Sequence, residues 1–266
     1  MAYILNTKRG QVLMCAYIFF ICTLLFEGCF HIPIQGTRSI NLTIRDIAYD
    51  FNKEKGFTIY ILEHEQYNPY LVLTDDYNGN CLLLRKYLLN DMLPYNEQND
   101  APSYYRESKI DHFLNNEFFN SFSEKTQSII TLSEIDITDI DSIGIVGTDI
   151  IRIQRKVFLL SYTETTQEES LVNAIEGNPL TIFIENSDLI NAATSDNIAG
   201  SWWLRTPNTA YYNAVYAISP DGYVGVCRVG GSEIEEGNGV RPAFCVPCSS
   251  AIRLDNINGE EIYVLQ

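Results

Sequence analysis

Cys245 and Cys248 have the C-x-x-C spacing of thiol–disulfide enzymes, in which the first thiol is activated at the N-terminus of a helix that succeeds a strand. The segment after this pair, SSAIRLDNINGEEIYVL, reads as a turn and a terminal hairpin, so a buried cysteine pair or one disulfide is expected. Arg205 and Arg241 stand in apolar runs, where an unpaired cation is costly, which predicts ion pairs with buried carboxylates ahead of ligand binding. Trp202 and Trp203 are adjacent, and on a strand they point to opposite faces, either both into core or one outward as a platform for a ligand. Tyr211, Tyr212 and Tyr216 with Asn213 supply rings and an amide, a composition suited to sugar or protein contacts.

Other chemistries find less footing. Glu233, Glu235 and Glu236 with Asn238 offer oxygen ligands for calcium, a weak cofactor expectation. Asp75, Asp76, Asn78 and Asn80 do the same but lack the alternating ligand set and distal Glu of an EF-hand, so turn chemistry explains them better. His31, His64 and His112 are isolated, and no spacing marks a zinc site. There is no G-x-S-x-G, no P-loop and no dinucleotide fingerprint, and no residue is assigned a catalytic role.

The elements that must position these residues belong to a chain of 266 residues, 46% apolar and 20% charged, able to bury a sizeable core. A net charge of -16 is the wrong sign for gripping phosphate backbones, so nucleic acid is not an expected partner. Alternating apolar positions in FTIYILEHEQ and PYLVLTDDYNGNCLLL predict a hairpin, with Asn78-Gly79 as a type I′ turn. Ser108 and Ser123 are placed to cap two helices, the first with Ile110, Phe113, Leu114 and Phe118 on one stripe. SEIDITDIDSIGIVG reads as an acidic edge strand or an extended excursion, KVFLLSY as a buried strand, and 163–175 as a helix. Irregular mixing of strands and helices predicts an α+β fold.

The N-terminus carries Lys8 and Arg9, then an uncharged and mostly apolar run over 10–26, the n- and h-regions of an export signal. Its strongly apolar part, 12–26, extends about 22 Å as a helix, short of the ~30 Å hydrocarbon layer. Gly28-Cys29 partly matches a lipoprotein signal in which Cys29 would carry lipid. Residues 1–29 are therefore expected to be a signal peptide or membrane anchor, 30–56 a tether with a short helix at Ile44, Ile47, Ala48 and Phe51, and 57–266 one domain.

Five blocks in order, KIDHFLNNEFFNSF at 109–122, KVFLLSYTE at 156–164, WWLRTP at 202–207, Asp221-Gly222 and GVRPAF at 239–244, resemble a bacterial family catalogued as a domain of unknown function, from about Tyr70 to Pro247. Its members occur mostly on exported or phage-related proteins. Its C-terminal part is similar to the C-type-lectin-like fold shared with formylglycine-generating enzymes. The resemblance implies a C-type-lectin-like domain of small antiparallel sheets with two or more flanking helices, and loops that carry binding. The paired Glu-Pro-Asn and Trp-Asn-Asp signatures of calcium-dependent sugar-binding lectins are absent, and Pro242 and Ala243 stand where formylglycine-generating enzymes place a cysteine. The expected function is a non-catalytic recognition or structural module, secreted or anchored outside the cytoplasmic membrane, binding a surface glycan or protein. The alternative is an enzyme of the formylglycine-generating or thiol-oxidoreductase type.

Overall fold

Asn78 and Gly79 both take positive φ, 53° and 79°, the backbone that a two-residue turn needs to match the twist of its flanking strands. The turn joins the strands Gln66–Tyr77 and Asn80–Arg85 in a computed structural model that describes residues 42–48, 58–89, 92–98, 100–166, 173–230, 238–257 and 259–266. All of them belong to one compact unit, Asn41–Gln266. The expected leader with Cys29, the start of the tether, Phe51, and Glu233, Glu235 and Glu236 lie outside the described residues.

The strands are β1 (Leu42–Thr43), β2 (Thr58–Glu63), β3 (Gln66–Tyr77), β4 (Asn80–Arg85), β5 (Ser133–Thr138), β6 (Ile150–Arg155), β7 (Val157–Phe158), β8 (Ala192–Ala193), β9 (Ala199–Gly200), β10 (Trp202–Pro207), β11 (Ala214–Ile218), β12 (Val224–Arg228), β13 (Ala243–Val246), β14 (Ala251–Ile257) and β15 (Glu260–Leu265). Helices are short: α1 (Ile44–Ala48), α2 (Lys109–Phe113), α3 (Glu124–Ile129), α4 (Tyr162–Thr165) and α5 (Thr181–Glu185). α2 continues into a π-helical turn, Leu114–Phe118. Ser108 and Ser123 cap α2 and α3 as expected, their side chains accepting from the Asp111 and Thr126 amides.

Eight strands form one sheet in the order β1-β14-β15-β2-β3-β4-β13-β7, mixed because β15 runs parallel to β2. A three-stranded sheet β10-β11-β12 and two ribbons, β5-β6 and β8-β9, complete the strands. The molecule is mostly β around one large mixed sheet, which overturns the α+β, C-type-lectin-like expectation of small antiparallel sheets with flanking helices. The reason is long-range pairing. The terminal hairpin β14-β15 inserts between β1 and β2, a partnership that no local pattern announces.

The helix expected over 163–175 shortens to α4. Ser161 and Glu164 close a capping box there, Thr166 is extended, and Gly177 takes φ 81°. The turn at Pro220-Asp221-Gly222 joins β11 to β12 as read, with Gly222 at φ 81° and no room for a side chain, because a Cβ would lie 2.3 Å from Asn191 Oδ1. The core is aromatic at its centre: Phe122 meets the edges of Phe118 and Phe244 at 5.2 and 5.3 Å, and Tyr70 meets Phe244 at 5.3 Å.

Cys248 bonds to Cys81, not to Cys245, correcting the expected C-x-x-C pair. Cys81 on β4 sits opposite Val246, the last residue of β13, which brings Cys248 two residues further on to Cys81 across 167 residues of sequence. Closing so long a loop removes about 5 kcal/mol of denatured-chain entropy. Reduction, or Cys81→Ala with Cys248→Ala, should therefore lower the urea midpoint strongly, and an unchanged midpoint would show that the bond adds nothing.

Candidate functional site

The most polar part of the interior is built where β3, β5, α4 and β10 meet. β10 carries Arg205 inward, fully buried, where its guanidinium forks onto Glu164: Nη1 to Oε2 at 2.7 Å and Nη2 to Oε1 at 2.9 Å. Nη1 also donates to the Leu159 carbonyl and Nε to that of Asp136. Glu176 lies 3.7 Å from Nε and is held by the Thr138 amide and the Thr138 and Thr206 hydroxyls. Tyr77 donates to Glu164 at 2.6 Å. Burial works against the Arg205 charge, but the Glu164 carboxylate more than offsets it, and the guanidinium is held more basic than usual. Burial pushes the Glu176 carboxyl up, against the pull of Arg205 and the threonine bonds. The guanidinium and both carboxyls find their partners inside the protein, so this is the expected structural ion pair and ties β3, β5, α4 and β10 together.

Arg241 departs from that expectation. No described carboxylate pairs with it; its Nε and Nη1 donate to the Arg85 and Leu189 carbonyls, and its guanidinium lies 5.2 Å from the Trp202 ring centroid. Burial lowers its pKa to about 9, which still leaves it charged at neutral pH. Trp202 and Trp203 are both core, with indole N–H groups donating to the Ile190 and Leu93 carbonyls, so neither is a platform. Tyr216 is buried too, its ring 5.2 Å from that of Tyr162. Cys245 is fully buried, and burial pushes its thiol up to about 12, the opposite of an activated thiolate.

Tyr211 and Tyr212 remain at the surface, 62% and 51% exposed, with half-buried Asn213 beside them. Their loop is rigidly tied. The Ser103 amide donates to the Tyr212 carbonyl, the Val229 amide to the Asn213 carbonyl, and the Asn208 side chain accepts from the Ala210 amide. A second loop leans on it, since the Gly144 and Val146 amides both donate to the Thr209 carbonyl. It presents Ile145 at 72% and Val146 at 55% exposure. Val146 has φ 58°, a left-handed backbone that a β-branched residue rarely adopts. Sequence reasoning found the tyrosines and missed Ile145 and Val146, whose segment SEIDITDIDSIGIVG read as an edge strand or an extended excursion.

Residues 78–248 match the family described as Domain of unknown function (DUF6273). The chain belongs to the DUF6273 family. No curated protein and no solved structure matches it at a significant level. The DUF6273 segment runs from the Asn78-Gly79 turn to Cys248 and so holds both disulfide cysteines, the Arg205 cluster apart from Tyr77, and the tyrosine loop. β1, β2, β3, β14 and β15 lie outside the DUF6273 match yet complete its sheet. Among the described residues no group of three or more His, Cys, Asp or Glu is placed to hold a metal ion. No described helix is long and apolar enough to cross a membrane.

Proposed function

We propose that the protein is a recognition module working outside the cytoplasm, and that its contact surface is the paired loop bearing Tyr211, Tyr212, Ile145 and Val146. The observation that carries this reading is the outward display of two tyrosines and two aliphatic side chains on hydrogen-bonded backbone, with Val146 held in a strained conformation. Exposed apolar side chains on a rigid frame fit a partner that covers them, since aromatic anchors gain contact area at little entropic cost. The aliphatic pair favours a protein partner over a glycan, because sugars take their affinity from ring faces and amides. The Cys81–Cys248 bond supports an oxidising location, in keeping with the basic pair and apolar run at the N-terminus. The charge of -16 fits neither nucleic acid nor an anionic surface.

The test is a saturation-binding assay of the purified protein on intact bacterial cells, with and without protease treatment of the cells. A Tyr211→Ser, Tyr212→Ser, Ile145→Ser variant runs in parallel. These side chains are exposed, so the variant should unfold within about 0.5 kcal/mol per site of the parent. Saturable binding that is lost in the variant and on protease-treated cells is the expected result. Binding that the variant keeps would place the contact elsewhere, and binding that survives protease but not periodate would make the partner a glycan.

A further inference from the structure

Away from the tyrosine loop, four separate parts of the chain converge on a cavity of about 500 Å³. Its floor is a buried charge pair. Glu63 Oε2 accepts from the Tyr70 hydroxyl at 2.5 Å and from Arg85 Nε at 3.0 Å. Arg85 spends its other bonds on the Tyr87 and Leu88 carbonyls and on Asn68 Oδ1, so its charge is neutralised and its position fixed. One rim is the β2–β3 turn, where His64 and Glu65 take φ 48° and 63° although neither is glycine, asparagine or aspartate. The His64 amide anchors that turn to the Ser121 carbonyl. The π-helical turn contributes Glu117 and Phe118 to the lining. Sparsely populated backbone and π-turns both cluster where a protein holds a ligand.

The lining alternates in a way that defines the occupant. Phe113, with Leu88 and Leu93, forms an apolar wall, and around it stand the Glu117 carboxylate, the His64 ring and the Gln66 amide. No side-chain hydrogen bond within the described structure engages those three polar groups. A flat apolar wall ringed by both donors and acceptors matches a molecule with C–H faces and hydroxyl edges. The volume lies in the range of small-ligand sites.

We infer that the cavity between the His64–Glu65 turn and the Leu114–Phe118 π-turn binds a neutral sugar, one or two pyranose units in size. The site is separate from the Tyr211–Tyr212 surface and stands or falls without it. The test is calorimetric titration of the intact protein with glucose, galactose, mannose, N-acetylglucosamine and their β-1,4-linked disaccharides, with methylammonium as a cationic control. At least one sugar should bind saturably. Glu117→Gln with Gln66→Ala, both at exposed positions, should weaken it about tenfold or more, while the Tyr211→Ser, Tyr212→Ser, Ile145→Ser variant binds it unchanged. Binding that the Glu117→Gln, Gln66→Ala variant retains in full overturns the site. No saturable sugar binding, or heat from methylammonium alone, overturns the ligand class.

Discussion

Arg205→Met should cost the fold about 3–5 kcal/mol, a large part of the 5–15 kcal/mol that holds most domains together. Among the described residues the guanidinium is the one cation within ion-pair distance of Glu164 and Glu176, and both carboxyls are fully buried. Methionine fills much of the volume but leaves Glu164 Oε1 with only Tyr77 and Oε2 with only the Ser161 amide. The loss should appear as a fall in urea midpoint with an unchanged slope. Adding Glu164→Gln and Glu176→Gln to Arg205→Met should restore part of it, because neutral amides remove the uncompensated charge, while each keeps one of the two acceptor oxygens that serve Tyr77 and the Ser161 amide, or Thr138 and Thr206. A single-variant cost below about 1 kcal/mol would mean that water reaches the pair and that the cluster does not hold the sheets together.

Alkaline pH should unfold the protein abruptly. Burial holds the Tyr70, Tyr77, Tyr95 and Tyr105 hydroxyls well above the ordinary tyrosine range, reinforced at Tyr70 by Glu63 and at Tyr77 by Glu164. A raised folded pKa gives stability that is intact below the unfolded value near 10 and is lost as pH rises above it. Each tyrosine contributes a slope of about 1.4 kcal/mol per pH unit, so the four together remove roughly 5 kcal/mol for each unit beyond 10. The expected trace is a sharp rise in tyrosinate absorbance that coincides with loss of the near-ultraviolet circular dichroism. If the dichroism persists after all 17 tyrosines have ionised, these hydroxyls reach solvent in the native state.

The sequence made the local features readable because their causes are local. Asn78-Gly79 demanded its turn, Ser108 and Ser123 their caps, and Arg205 a buried carboxylate, since each requirement is set by neighbours or by the cost of an isolated charge. The large sheet was illegible for the opposite reason. Nothing in TIYILE or EEIYVL says that the two segments run side by side, and β1 contributes only two residues. Arg241 misled because carbonyls and an indole face can take the place of a carboxylate. The C-x-x-C spacing misled because Cys245 lies within β13, buried and opposite Leu82, whereas Cys248 lies beyond the end of that strand and meets Cys81 on β4. At the surface, Tyr211 and Tyr212 were visible from composition, whereas the turn at His64 carries no glycine or asparagine to mark it.

The position of β14 and β15 between β1 and β2 also sets an order of events in the cell. A chain made from its N-terminus cannot complete the main sheet until β14 and β15 have left the ribosome, because among the described strands β1 pairs only with β14, and β2 has β3 alone until β15 arrives. Removing the hairpin would leave β2 as a raw edge, ready to pair with the same edge of another molecule.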